Sequence, residues 1–331
     1  MFAPEQSERS KKSMNDIEKI ALHPNKLRRY SEEEYLKQKE IFEKLENVFE
    51  KLEDIPYAMV KGQILSQIAY GAVGYRKSHD IDLLVEKKDV ERIDDFLCAS
   101  GFKNGVYDKN GNFRELTRRE KIMYLNSHQT APYIKWDTVR NQKIEIDINT
   151  AIWGGEMRND DKYTAEFLRD TIDVKIMGYR VKTLNRYKAF IHLVLHHYRE
   201  MNAPYIFRIC NPINTKMFED IYMFYIREIK DEIKTLYNIS SQFGTNEYLY
   251  YMFFYTNIAF RDKDIEDAAN LFYSENGEEL LDCYGLNDKE RKKWKNSFTE
   301  RLDMEDIYSV IVNDLNSKEK EKIETIWSII E

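Results

Sequence analysis

The segment Asp80-Ile81-Asp82-Leu83-Leu84-Val85 constrains this chain more than any other. Its β-branched and apolar residues read as a strand. Residues two apart on a strand point the same way. Asp80 and Asp82 are therefore expected on one face, with Ile81, Leu83 and Val85 on the other. Two carboxylates held side by side repel each other unless a cation sits between them. Hard oxygen ligands of this kind suit Mg²⁺, with Mn²⁺ as a substitute, and Mg²⁺ usually takes one or two carboxylates plus substrate phosphates.

The preceding residues sharpen that reading. Tyr57-Ala58-Met59-Val60 reads as a short buried strand that ends at Lys61-Gly62. Gln63 to Tyr70 reads as a short helix with Ile64, Leu65 and Ile68 on one side. Gly71, Gly74 and Arg76-Lys77-Ser78 form a loop that delivers the chain to Asp80. A glycine at a strand-to-helix turn lets backbone amides approach an anion, and the helix start adds a favourable dipole. Lys61, Arg76 and Ser78 supply donors for phosphate oxygens. Lys61, Gly62, Arg76 and Ser78 are thus the candidate phosphate-binding residues, and Asp80 and Asp82 the candidate metal ligands.

A later strand carries more acid. From Lys143 to Asn149, Ile144, Ile146 and Ile148 alternate with Glu145 and Asp147. A third carboxylate beside the Asp80/Asp82 pair would hold a second metal or accept a proton. Glu145 and Asp147 share a face, and alternation does not separate them.

Taken together, these residues resemble a large bacterial nucleotidyltransferase family of the DNA-polymerase-beta-like superfamily. The likeness rests on Lys61-Gly62, on Arg76-x-Ser78-x-Asp80-Ile81-Asp82-Leu83-Leu84-Val85, and on Gly101-Phe102 after a helix at Val90 to Leu97. It continues through Glu145-Ile146-Asp147-Ile148-Asn149, His192-Leu193-Val194-Leu195-His196 and Asp220-Ile221, and covers most of 55–225. Lys61-Gly62-Gln63 stands where the better-known members carry Gly-Ser. The resemblance favours Asp147 as the third carboxylate, so Asp80, Asp82 and Asp147 are the expected catalytic and metal-binding residues, with Glu145 secondary. It implies Mg²⁺-dependent transfer of a nucleoside monophosphate from an NTP, ATP among them, with release of pyrophosphate.

The organisation fits an α+β enzyme. A polar segment, 1–30, leads into a core at 31–183: a mixed β-sheet with flanking helices. An all-helical domain follows at 184–331. Ser31-Glu32-Glu33-Glu34 is a capped helix start with Glu34 at the capping-box position, and the helix runs to about Leu52, burying Tyr35, Ile41, Phe42, Leu45 and Phe49. Asp89 is placed to cap the helix from Val90. Asn110-Gly111 signals a hairpin, and Met177-Gly178 another. Helical spacing then predicts helices at 186–200, 215–237, 246–260, 264–283, 287–299 and 303–330. The many Tyr and Phe residues from Tyr248 to Tyr255 read as core packing rather than as a base-stacking platform.

Bulk properties exclude several classes. With 58 acidic against 51 basic residues the formal charge is −7, so the overall field does not favour long nucleic acid. A small molecule, a peptide or a protein side chain is the favoured acceptor. Cys98, Cys210 and Cys283 are too scattered for a disulfide framework or a zinc motif. No unbroken apolar run reaches membrane-spanning length. The start lacks an apolar signal core, which makes the cytoplasm the expected compartment.

Two rival functions follow from the same residues: a nucleotide-sensing module without turnover, and a helical interaction protein with surface acids. His192 and His196 share a helix face and raise a third, metal-dependent phosphohydrolysis, with Asp220 as partner. The alternative for His196 is a hydrogen bond to Asp220 between packed helices.

Overall fold

The structure is a computed structural model that describes residues 27–78, 80–107, 112–125, 127–137, 142–153, 157 and 162–330. The chain divides into two compact units. One comprises Arg29–His196 with Arg227–Ile229. The other comprises His197–Ile226 and Lys230–Ser328, together with 27–28.

The first unit opens on helix α1 (Glu32–Lys51). The Ser31 hydroxyl accepts from the Glu34 backbone N–H, as expected of an N-cap. The reciprocal half of the capping box is absent, because the Glu34 carboxylate instead accepts from Gln38 and from the Ser78 N–H. Ile41, Phe42, Leu45, Val48 and Phe49 are buried, whereas Tyr35 only packs at the edge of that cluster.

Strand β1 (Tyr57–Val60) follows, then the single α-turn α2 (Gly62–Leu65), which widens into a π turn at Ser66–Tyr70. Gly71 ends it at φ 85°, a conformation glycine adopts without strain. Strand β2 (Ile81–Val85) and helix α3 (Val90–Ala99) come next. Asp89 does not cap α3; its carboxylate faces Arg92 at 3.6 Å, one turn on. Strands β3 (Lys103–Asn104), β4 (Val106–Tyr107) and β5 (Phe113–Arg114) precede helix α4 (Arg118–Leu125). Strands β4 and β5 pair antiparallel, while the Asn110-Gly111 turn expected between them lies outside the described residues. Strands β6 (Tyr133–Asp137) and β7 (Gln142–Asn149), helix α5 (Lys162–Leu168), and strands β8 (Ile172–Ile176) and β9 (Tyr179–Thr183) complete this part. Met177 and Gly178, both at positive φ, turn β8 into β9.

Seven strands form one mixed sheet in the order β3-β6-β7-β2-β1-β9-β8. Strands β2 and β7 are parallel, as are β1 and β9; the other neighbours are antiparallel. One face packs Ile81, Leu83, Val85, Ile144, Ile146 and Ile148 into a single core with the apolar stripes of α1 and α3. At period two the opposite face of β2 and β7 carries Asp82, Asp147 and Asn149.

Helix α6 (Arg186–Asn202) begins in this unit, and the division between units falls within it, at His196–His197. The second unit contains α7 (Pro204–Ile209), α8 (Thr215–Phe224), α9 (Ile233–Phe243), α10 (Asn246–Phe260), α11 (Lys263–Phe272) and α12 (Glu275–Leu281). It ends with α13 (Phe298–Asp303), α14 (Ile307–Ile311) and α15 (Ser317–Ile330). Several expected long helices are broken. The 264–283 helix stops at Tyr273, and Ser274 caps a new one through the Gly277 N–H. No helix forms over 287–297; Cys283–Tyr284 pairs with Lys292–Lys293 in a two-residue ladder on either side of Gly285, which sits at φ 99°. Tyr251 and Phe253 on α10 are fully buried, and Tyr251 packs edge-on against Tyr198 and Tyr255, so the aromatic run is core.

Candidate active site

Register brings the acids together. Strand β2 runs parallel to β7 with Asp82 directly opposite Asp147. Asp80 sits one residue before β2, and oxygens of Asp80, Asp82 and Asp147 lie within 4.8 Å of one another. Glu145, two residues before Asp147 on the same face, is not in that group; it is half-buried and paired with Lys143.

Three carboxylates this close carry an electrostatic cost. Burial, then repulsion from Asp82 and Asp80, pushes the Asp147 carboxyl up to about 8. Burial, then Asp82, also raises Asp80. Lys61 offsets part of this: its Nζ lies 2.5 Å from Asp82 Oδ1. The same oxygen accepts from Asn149 Nδ2 at 3.1 Å. Asp147 Oδ1 is buried and has no hydrogen-bond partner among the described residues. A buried acceptor left unmatched beside two more carboxylates is a hard-oxygen donor set that fits a divalent cation.

The turn beneath β1 places the basic group. Lys61 adopts φ 56°, ψ −151°, and Gly62 φ 39°. A Cβ on Gly62 would lie 2.6 Å from Ser78 Oγ, so only glycine lets the Ser78 loop close against this turn. Ser78 is buried and its hydroxyl donates to the Asp80 carbonyl at 3.4 Å. Its hydroxyl therefore points inward and braces the loop. Arg76, half-buried, lies on the same loop two residues earlier.

Support comes from residues the sequence did not mark. Gln38 Nε2 donates to Glu34 Oε1 at 2.6 Å and to the Ser78 carbonyl at 2.5 Å. Gln63 Nε2 donates to Gln38 Oε1 at 2.7 Å and to the Asp80 carbonyl at 3.2 Å. These bonds tie α1, α2 and the Ser78–Asp80 backbone into one buried network. Asn149 was also missed, although it continues the Glu145/Asp147 alternation by one step.

His196 stands apart from the three carboxylates, on α6. His197 approaches Asp220: its Nε2 is 3.8 Å from Asp220 Oδ2 and its Nδ1 3.2 Å from Glu200. His196, His197 and Glu200 do bring ligand atoms within 4.8 Å along that helix. Yet Asp220 is fully buried and already grips Arg28 through both oxygens, which suits a structural role.

The model of an uncharacterised nucleotidyltransferase family matches residues 14–261. Among solved structures, the antibiotic-resistance factor ANT(2'')-Ia, determined in solution, is similar at 11% identity with a TM-score of 0.34; the likeness covers 63% of this chain and 95% of that one. None of the curated proteins compared with the chain matches it.

Proposed function

The chain belongs to the uncharacterised nucleotidyltransferase family, and from that premise we propose that it moves a nucleoside monophosphate from an NTP to a nucleophile on a small molecule, peptide or protein, with Mg²⁺ held by Asp80, Asp82 and Asp147. The observation that carries this is the meeting of those three carboxylates on adjacent parallel strands, one of them with an unmatched buried oxygen. Mg²⁺ bound there supplies charge stabilisation at the attacking, bridging and leaving oxygens and aligns the displacement. Lys61, the Gly62 turn and Arg76 bind triphosphate oxygens. Ser78 and the Gln63 amide hold the Asp80 backbone so that its carboxylate faces the site. Asp147 takes the acceptor's proton as the acceptor oxygen bonds to the α-phosphorus and the bond to the bridging oxygen breaks.

The test needs no acceptor. Melting temperatures are measured with each of the four NTPs in the presence of Mg²⁺ or Mn²⁺. One NTP should raise the wild-type value by several degrees through linkage. Asp82→Asn should melt normally without ligand and show no such rise. A variant stabilised as much as the wild type overturns the assignment. Mass spectrometry of the same samples registers any transfer to the protein itself.

A further inference from the structure

Lys61 is held by Asp82, one of the three clustered acids. Its ammonium contacts the same Asp82 oxygen that Asn149 engages, and both side chains are largely buried, at 13% and 7% exposure. Its backbone sits in a region that residues with a Cβ rarely occupy. Such strain persists only where the surroundings over-determine it, and it clusters at functional sites. Glycine would relieve the strain at this position, yet a lysine stands there with its charge delivered onto the carboxylates.

We infer that Lys61 is a displaceable counter-ion, whose ammonium on Asp82 competes with a divalent cation for the Asp80, Asp82 and Asp147 carboxylates and leaves Asp82 when that cation enters. This rests on the metal-dependent reading proposed above and adds what the site does before it is loaded. An ammonium and a divalent ion cannot share one cluster of carboxylate oxygens without strong repulsion, since both charges are partly desolvated there. Loading therefore releases Lys61. The freed side chain still projects from the turn at Gly62, where triphosphate oxygens are expected. Metal entry and the lysine's contact with phosphate become a single linked event, and the acid cluster is never left without a positive charge.

The test is a Mn²⁺ titration by calorimetry, without nucleotide, on the full chain. Lys61→Met keeps a long apolar stem and removes the charge. It should bind Mn²⁺ about tenfold or more tighter than the wild type, because the competing cation is gone. In EDTA its melting temperature should fall by several degrees, and saturating Mn²⁺ should restore it. Lys61→Gly removes the charge and relieves the backbone strain, so it provides the same reading if Lys61→Met fails to fold. Unchanged or weaker Mn²⁺ affinity in a folded variant overturns the inference, as does an absence of Mn²⁺ uptake by wild type and variants alike. Unchanged affinity with intact uptake leaves the transferase reading standing. That reading falls by a different result, an Asp82→Asn protein that NTP and Mg²⁺ still stabilise.

Discussion

Asp147 shows how far single residues could be read from the sequence. Alternation put Asp147 and Glu145 on one face and stopped there. The choice between them is made by the register of β2 against β7, which sets Asp82 opposite Asp147. Register of a parallel pair depends on contacts far apart in sequence, so a local pattern cannot supply it. The missed Asn149 has a different cause, since an amide has no ionisable chemistry to mark it. A pH prediction follows from Asp147. Burial, then Asp82 and Asp80, lifts its carboxyl to about 8 in the folded protein, whereas the unfolded value is about 4. The folded state thus holds this proton more tightly. Its contribution to stability is full below about pH 4 and drains away as the pH climbs towards about 8. Asp147→Asn mimics the protonated form and lacks this dependence. In EDTA, urea melts should show the wild type losing about 3–4 kcal/mol relative to Asp147→Asn between pH 5 and pH 8. A wild-type-minus-variant difference that stays constant with pH refutes the assigned environment, and Mg²⁺ should suppress the loss by favouring the charged carboxylate.

At the scale of elements, apolar stripes were legible and polar interiors were not. The strands β1, β2 and β7, helix α1 and the β8–β9 hairpin follow from alternation, helical spacing and Met177-Gly178. Glu34 reads as a capping-box residue and Gln38 carries no signal, yet both are buried, at 7% and 0% exposure. Their partners are the Ser78 backbone and Gln63, which no helical pattern reveals. The long helices expected near the C-terminus broke for a related reason. Ser274 starts a new helix through its side-chain cap, and Gly285, at positive φ, follows the short Cys283–Tyr284 strand, signals that a continuous apolar period overrides on paper. The α1 network yields a measurable consequence. Gln38→Leu keeps the volume but leaves the buried Ser78 carbonyl without its Gln38 donor, and takes one of two bonds from the Gln63 amide. The cost should be about 1–3 kcal/mol in urea unfolding, the penalty of an unmatched buried group. Mn²⁺ affinity should drop with it, because the loop that leads into Asp80 loses a brace. A variant with wild-type stability and metal binding would show that α1 merely covers the sheet.

For the whole molecule, two compact units and a family match over residues 14–261 mean that the matched stretch includes all of the first unit's strands and only part of the second unit. Among the described residues no helix is long and apolar enough to cross a membrane. The segment 1–30 reads as a polar lead, and within it Arg28 is an anchor. Its guanidinium donates to both oxygens of Asp220 at 3.0 and 3.1 Å, and its backbone N–H donates to the Glu219 carboxylate. These partners are 191 and 192 positions away, beyond any local signal. Asp220 is fully buried on α8, so its charge relies on this clamp and on His197. Removing one member of a buried pair leaves the other charge uncompensated. Arg28→Ala should therefore cost about 3 kcal/mol and speed hydrogen exchange in peptides from Thr215–Phe224. Adding Asp220→Asn removes the stranded charge and should recover more than half of that loss. If the double variant is no more stable than Arg28→Ala, the cost lies in lost packing of the arginine stem and not in the electrostatics of the clamp.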